Sequence, residues 1–209
     1  MDSKAVKQLI SELTQRVVMM DGAMGTMIQQ HSLDEEHFRG EQFVDHPINL
    51  KGNNDLLSLT APHIIEQIHL DYLSAGANII GTNTFSGTTI AQSDYQLEDQ
   101  VYKINFASAQ LACSAVKRYH QEHPDHLALV AGAMGPTNRT ASISPDVENP
   151  DFRAITFDQL SESYYQQAKA LVEGGVDLLI VETVFDTLNL KAAIHGIERL
   201  QEGLTAPLP

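Results

Sequence analysis

Two carboxylates sit where short apolar runs end. Asp21 follows Val17-Val18-Met19-Met20, and Glu182 follows Val176-Asp177-Leu178-Leu179-Ile180-Val181. A carboxylate at the exit of a buried strand either faces a pocket or caps the helix that follows. If both face one pocket, they suit a ligand ammonium group or a general acid/base pair. Directly after Asp21 come Gly22, Ala23, Met24 and Gly25. A tight turn of small residues exposes backbone N–H groups that can hold a carboxylate or phosphate. Asn83, in Gly81-Thr82-Asn83-Thr84-Phe85, offers an amide to a ligand or to the next segment. Arg139, in the polar stretch 137–146, is a candidate anion contact or one half of a structural ion pair.

Other reactive side chains carry less. Cys113 lies mid-helix among alanines and reads as a buried, inert thiol. His120, His123 and His126 are close, but Pro124 ends the helix between them. His63, Glu66 and His69 step by three and fan around a helix. Neither group is H-E-x-x-H, so both read as solvated or structural. No metal ligands and no catalytic residue are assigned; the candidates are the binding residues Asp21, Gly22, Ala23, Asn83 and Glu182.

The elements that position these residues follow from periodicity. Four short apolar runs, at 17–20, 77–80, 127–131 and 176–181, have the look of buried parallel strands. Helical spacing fills His63 to Ala75, Val101 to Tyr119, Leu160 to Val172 and Thr187 to Leu200. Residues 1–15 form an N-terminal helix ahead of the first run. Gly76 and the Gly174-Gly175 pair stand where a left-handed residue would turn a helix back into the sheet. Strands alternating with helices imply a parallel sheet with right-handed crossovers. Every strand exit delivers Gly, a carboxylate or an amide, which fits a barrel mouth better than an open sheet. Neither G-x-G-x-x-G after the first run nor a G-x-x-x-x-G-K-[ST] loop is present. A (β/α)8 barrel takes about 250 residues. Four βα units in 209 residues therefore predict the first half of a (β/α)8 TIM barrel, incomplete over 1–209, with strands one and four as open edges. The long insertion at 31–51 carries Asp34-Glu35-Glu36, read as a solvated face. The stretch 137–152 is read as a lid or docking loop.

Composition limits the partners. Hydrophobic residues are 43% of the chain, enough for a core. Thirteen Lys and Arg stand against 27 Asp and Glu, a net charge of −14, which argues against nucleic acid and anionic membranes. One cysteine excludes an internal disulfide framework. No h-region and no apolar stretch near the ~18 residues of a spanning helix is seen, and a cytoplasmic location is expected.

Taken together, Asp21-Gly22-Ala23-Met24-Gly25-Thr26, Gly81-Thr82-Asn83-Thr84-Phe85, the stretch Gly135 to Asp146 and Glu182-Thr183-Val184-Phe185-Asp186-Thr187 resemble the zinc-dependent homocysteine methyltransferases. Phe38-Arg39-Gly40-Glu41 and the stretch Leu50 to Leu57 are similar to the cobalamin-dependent methionine synthases within that family. The betaine- and S-methylmethionine-dependent enzymes share the first and second of these pieces. The resemblance implies a barrel that binds homocysteine, with zinc on three cysteine thiolates of later strands activating its thiol. The methyl group would come from methylcobalamin, recharged by methyltetrahydrofolate on further modules. Asp21 and Glu182 match the carboxylates that bind the substrate ammonium, and Gly22 and Ala23 match the turn that holds its carboxylate. Cys113 matches none of the zinc cysteines. The expectation is half a homocysteine pocket, without a complete zinc or cobalamin site, inactive alone. The competing expectations are a fragment of a cobalamin-independent homocysteine methyltransferase, using betaine or S-methylmethionine, and a non-catalytic half barrel that closes its sheet by assembly.

Overall fold

The computed structural model describes residues 3–204. Helix α1 (Ser3–Leu13) leads into an extended segment, then α2 (Met24–Gln30) and α3 (Glu35–Arg39). After α4 (Leu57–Thr60) and α5 (Pro62–Ser74), strand β1 (Ile79–Gly81) enters the sheet. The short α6 (Thr89–Gln92) and the long α7 (Val101–Glu122) precede β2 (Leu129–Met134). Then come α8 (Phe157–Gly174), β3 (Leu178–Val181) and α9 (Thr187–Glu202).

The sheet is parallel and its spatial order follows the chain, β1-β2-β3. Ile79 pairs with Leu129, and Ala131 with Leu178. A sheet that winds in one direction has no switch point, unlike the doubly wound fold. The expected first strand is reduced to one isolated bridge, Met20 to Ile79. Met19 accepts from Asn78 N and Ile79 N, and Asp21 N donates to Ile79 O at 2.8 Å. The ladder stops there because the next donor, Gly81 N, is taken by the Asp21 side chain instead of a backbone carbonyl. The described residues thus hold three strands and a bridge rather than four strands.

Alternation sorts the strand side chains onto two faces. Ile80, Val130, Met134, Leu179 and Val181 face outward into a layer made by α5, α7, α8 and α9. Ile79, Leu129 and Leu178 face inward, where Leu9 of α1 and Leu127 meet them. Helix α1 therefore covers the lower part of the inner face. The upper part stays open. A second cluster under α4, α5 and α7 anchors the 28–57 insertion through Ile28, Phe38, Leu50 and Leu56.

Caps extend the helices beyond their apolar periodicity. Pro62 opens α5 at its first turn. Thr156 and Gln159 form a reciprocal capping box, so α8 starts three residues ahead of Leu160. The two glycines that end α8 differ in purpose. Gly175 adopts φ +100°, the left-handed cap. Gly174 is still helical, and a Cβ there would lie 2.5 Å from Ala109 Cβ, so it sets how closely α7 and α8 approach.

Two surface readings change. Asp34-Glu35-Glu36 is not merely solvated: Asp34 caps α3, and Glu35 pairs with Arg39 at 2.7 Å while accepting from Leu50 N and Lys51 N. Arg39 in turn donates to the carbonyls of Phe43, Val44, His46 and Ile48. This ion pair thereby ties the 43–51 part of the insertion to α3, above the apolar cluster that anchors it. The first part of the stretch 137–152, expected as a lid or docking loop, is tied to the start of α9: Asp186 accepts from Ser142 N and Oγ, and Asn189 Nδ2 donates to Thr137 Oγ1 and Arg139 O. Burial tends to raise the Asp186 carboxyl, but these bonds and those from Leu188 N and Asn189 N outweigh it and hold it below its usual range.

Candidate functional site

The open upper end of the inner face is a cleft of about 660 Å³. Its floor is the strand exits: Asp21, Gly81, Ala133, Ile180 and Glu182. One wall is the turn 22–25 and the other combines 52–55 with the loop 82–86. Of the sequence candidates, Asp21, Gly22, Ala23, Asn83 and Glu182 all line it. Arg139 does not; it is exposed in a separate groove with Asp158 and Glu162.

Asp21 and Glu182 meet across the floor. Asp21 Oδ2 accepts from Gly81 N at 2.8 Å. Burial pushes its carboxyl up to about 6; the Gly81 N–H opposes this, and the Glu182 charge adds to it. Two acidic groups in one partly desolvated floor favour a cationic ligand, whose charge relieves both burial and repulsion. Glu182 is carried there by strand pairing, since its N–H donates to Met134 O at 3.1 Å. The next residue, Thr183, has φ +54°. A β-branched residue in the left-handed region is strained, and such strain persists where surrounding structure imposes it. Thr183 Oγ1 reaches Glu182 Oε2 at 3.5 Å.

The turn 22–25 leads into α2. Its N-cap, Ala23, makes no side-chain cap, so the first amides of the helix lie at the cleft without a capping oxygen. Asn83 lines the cleft with its amide already engaged, donating to Asn54 O at 2.7 Å and Ser58 Oγ at 3.3 Å. Phe85 projects from the same loop and is 42% exposed.

Periodicity gave no sign of Asp55. It is 3% exposed, lines the cleft and accepts from Ser86 N at 2.7 Å. Burial pushes its carboxyl up to about 7 against that one hydrogen bond. Tyr95 lines the same wall, and its hydroxyl is pushed up by burial, then by Asp94 and Asp55. The available clue was the run Asn53-Asn54-Asp55, polar residues interrupting an apolar stretch.

The histidines at 120, 123 and 126 make structural contacts. His120 bonds to His126 O, His126 to Ala77 O, and His123 stacks on Tyr119 at 4.2 Å. His69 is fully buried, and desolvation lowers it to about 4. Among the described residues no three His, Cys, Asp or Glu side chains come together as a metal site. Cys113 is behind the sheet on α7, its thiol donating to Gly175 O at 3.3 Å and pushed up to about 11 by burial and by Asp177. The described residues do not fit a zinc–thiolate centre.

Comparison with known proteins bears on the family and the fold. The family model for homocysteine S-methyltransferase matches residues 18–208. The metallated form of the homocysteine methyltransferase MmuM from Escherichia coli superposes with a TM-score of 0.69 at 24% identity, covering 90% of this chain and 62% of that one. Its oxidised form gives 0.69 at 23% identity, over 90% and 60% of the two chains. Its apo form gives 0.61 at 22%, over 90% and 57%. At this identity the likeness establishes the fold, an α/β parallel sheet matching part of a barrel domain. The chain spans about three-fifths of the length of these relatives.

Proposed function

The chain belongs to the homocysteine S-methyltransferase family, and from that premise we propose that its cleft is the amino-acid half of a homocysteine pocket for methyl transfer to the thiol. The observation that carries this is the shared floor of Asp21 and Glu182, two carboxylates delivered by separate strand exits. The substrate ammonium lies between them. Its arrival favours the ionised form of Asp21, which is otherwise held up at about 6. The substrate carboxylate faces the uncapped amides of the 22–25 turn, and Asn83 and Phe85 close the opposite wall. This arrangement binds and orients; no described residue is assigned to activate the thiol.

The narrower reading is the N-terminal part of a cobalamin-dependent methionine synthase, four βα units of a (β/α)8 barrel. Its support is that Gly52, Asn53, Asn54 and Asp55, from the segment carrying that resemblance, line the cleft. In this reading the methyl group originates on methylcobalamin and is replenished from methyltetrahydrofolate. Neither group is assigned a site here, and the zinc of the family would need thiolates other than Cys113.

Calorimetric titration tests the pocket. L-Homocysteine binds the 209-residue chain, and 4-mercaptobutyrate, which lacks the amino group, does not. Loss of a charge-assisted contact costs roughly 1.5–3 kcal/mol, about 10- to 100-fold in affinity, in Asp21→Asn or Glu182→Gln. Equal binding of both ligands, or of neither, defeats the reading.

A further inference from the structure

Side chains hold four carbonyls of the loop between β1 and α6. Asn83 O accepts from Ser108 Oγ, Thr84 O from Gln167 Nε2, Ser86 O from Gln92 Nε2 and Gly87 O from Asn105 Nδ2. Thr84 Oγ1 donates to Ala133 O at 2.6 Å. Those side chains all act from behind the loop, from α6, α7 and α8. The one tie to the 52–55 segment of the same wall made through a loop backbone N–H is Ser86 N to Asp55 Oδ2. Asp55 is itself fixed, because the neighbouring Asn53 exchanges two hydrogen bonds with Gln92 at 2.7 and 3.2 Å. A second tie, Asn83 Nδ2 to Asn54 O, lies beside it.

We propose that Asp55 is a positioning residue for the cleft: by anchoring Ser86 N it joins the 52–55 wall to the 82–86 loop and sets where Asn83 and Phe85 stand against the substrate. A buried carboxylate with a single hydrogen bond costs desolvation free energy, and the one bond that offsets it here is the Ser86 N–H. The residue is explained by the anchor. Its effect on ligand affinity rests on the homocysteine reading; the anchor itself does not.

The test uses the 209-residue chain, ¹⁵N-labelled, with Asp55→Ala and Asp55→Asn. Asparagine keeps an acceptor oxygen for Ser86 N; alanine does not. In Asp55→Ala the Ser86 amide loses at least tenfold of its hydrogen-exchange protection, the Asn83 side-chain amide resonances move, and homocysteine affinity falls about tenfold. In Asp55→Asn all three return toward wild type. Unchanged Ser86 protection in folded Asp55→Ala overturns the proposal, as does loss of that protection in folded Asp55→Asn. If the alanine variant does not fold, the asparagine variant alone decides. A wild-type chain that binds no homocysteine defeats the substrate reading, and the exchange data still decide on the anchor.

Discussion

The side chain of Asp21 accepts the backbone N–H of Gly81 at 2.8 Å, across sixty residues of sequence. It takes the place of a ladder carbonyl at the edge of the sheet, so one residue both ends a strand pairing and forms the floor of the cleft. Strand geometry and site geometry are thus the same bond.

That bond predicts an asymmetry between two substitutions. Asp21→Ala leaves Gly81 N without its partner and should cost about 1–3 kcal/mol in urea unfolding. Asp21→Asn keeps an acceptor and should cost less than ~1 kcal/mol, while still losing the charge that a ligand ammonium needs. Equal costs for the two would show that the bond contributes nothing to stability.

How much of this was legible beforehand depended on locality. The place of Asp21 and Glu182 at the cleft floor was readable because each directly follows an apolar run, and strand exits are readable from local pattern. Helix α8 was found short at its start, because the Thr156–Gln159 box lies outside the apolar periodicity that marked it, whereas α5 is the expected helix moved one residue back. The first strand was overcalled for a non-local reason: whether Val17-Val18-Met19-Met20 pairs along its length depends on Asp21 taking the Gly81 amide. Asp55 was missed for a similar reason. Its burial exists only once the loop 82–87, thirty residues on, folds over it.

The two buried aspartates give stability an unusual pH dependence. Asp21 and Asp55 titrate at about 6 and about 7 in the folded chain, against 3.8 ordinarily. A raised carboxyl binds its proton more tightly folded than unfolded, so its contribution is complete below about pH 4 and is lost as pH rises through 6 and 7. At about 1.4 kcal/mol per pH unit of displacement the loss is of order a few kcal/mol. Asp34, Glu35 and Asp186, held below the usual range, act oppositely and lose their contribution as pH falls below about 4. Thermal unfolding by circular dichroism should show a melting temperature that declines from pH 5 to 8. In Asp55→Asn the upper part of the decline should vanish. A flat or rising profile over that range contradicts the account.

Gly135 packs directly behind Phe85 of the cleft wall. A Cβ there would lie 2.3 Å from Phe85 O and 2.9 Å from the Phe85 ring. Its own carbonyl accepts from the buried Tyr164 hydroxyl at 3.0 Å, so the backbone on that side cannot yield. Gly135→Ala must therefore push Phe85 and the loop toward the cleft. The expected cost is about 1–3 kcal/mol of stability, with weaker homocysteine binding. An alanine variant with wild-type stability and affinity would show that the loop moves freely.

Thr183 separates stability from binding. Its left-handed backbone at φ +54° is a conformation glycine adopts at no steric cost. Thr183→Gly should recover up to ~1–2 kcal/mol of strain, offset by the entropy glycine adds to the unfolded chain. It also removes the hydroxyl near Glu182 Oε2 and the constraint that aims Glu182. Chemical denaturation should show unchanged or increased stability, and titration should show homocysteine affinity reduced several-fold. Lower stability together with unchanged affinity would mean that the strain serves no purpose in the cleft.

Metal binding gives the sharpest separation between what these residues do and what the family's full chemistry requires. A zinc-activated thiol needs ligand thiolates, and a thiol at about 11 is protonated at neutral pH. Cys113 is also on the outer side of the sheet, bonded to Gly175 O, while the cleft opens on the inner side. The 209-residue chain titrated with Co²⁺ should therefore show no thiolate-to-metal charge-transfer band. Supplied with methylcobalamin and homocysteine, it should form no methionine above the rate without protein. Cys113→Ser should change neither result. A stoichiometric charge-transfer band abolished by Cys113→Ser would place Cys113 in a metal site, and methionine formation would show that the half pocket is sufficient for the reaction.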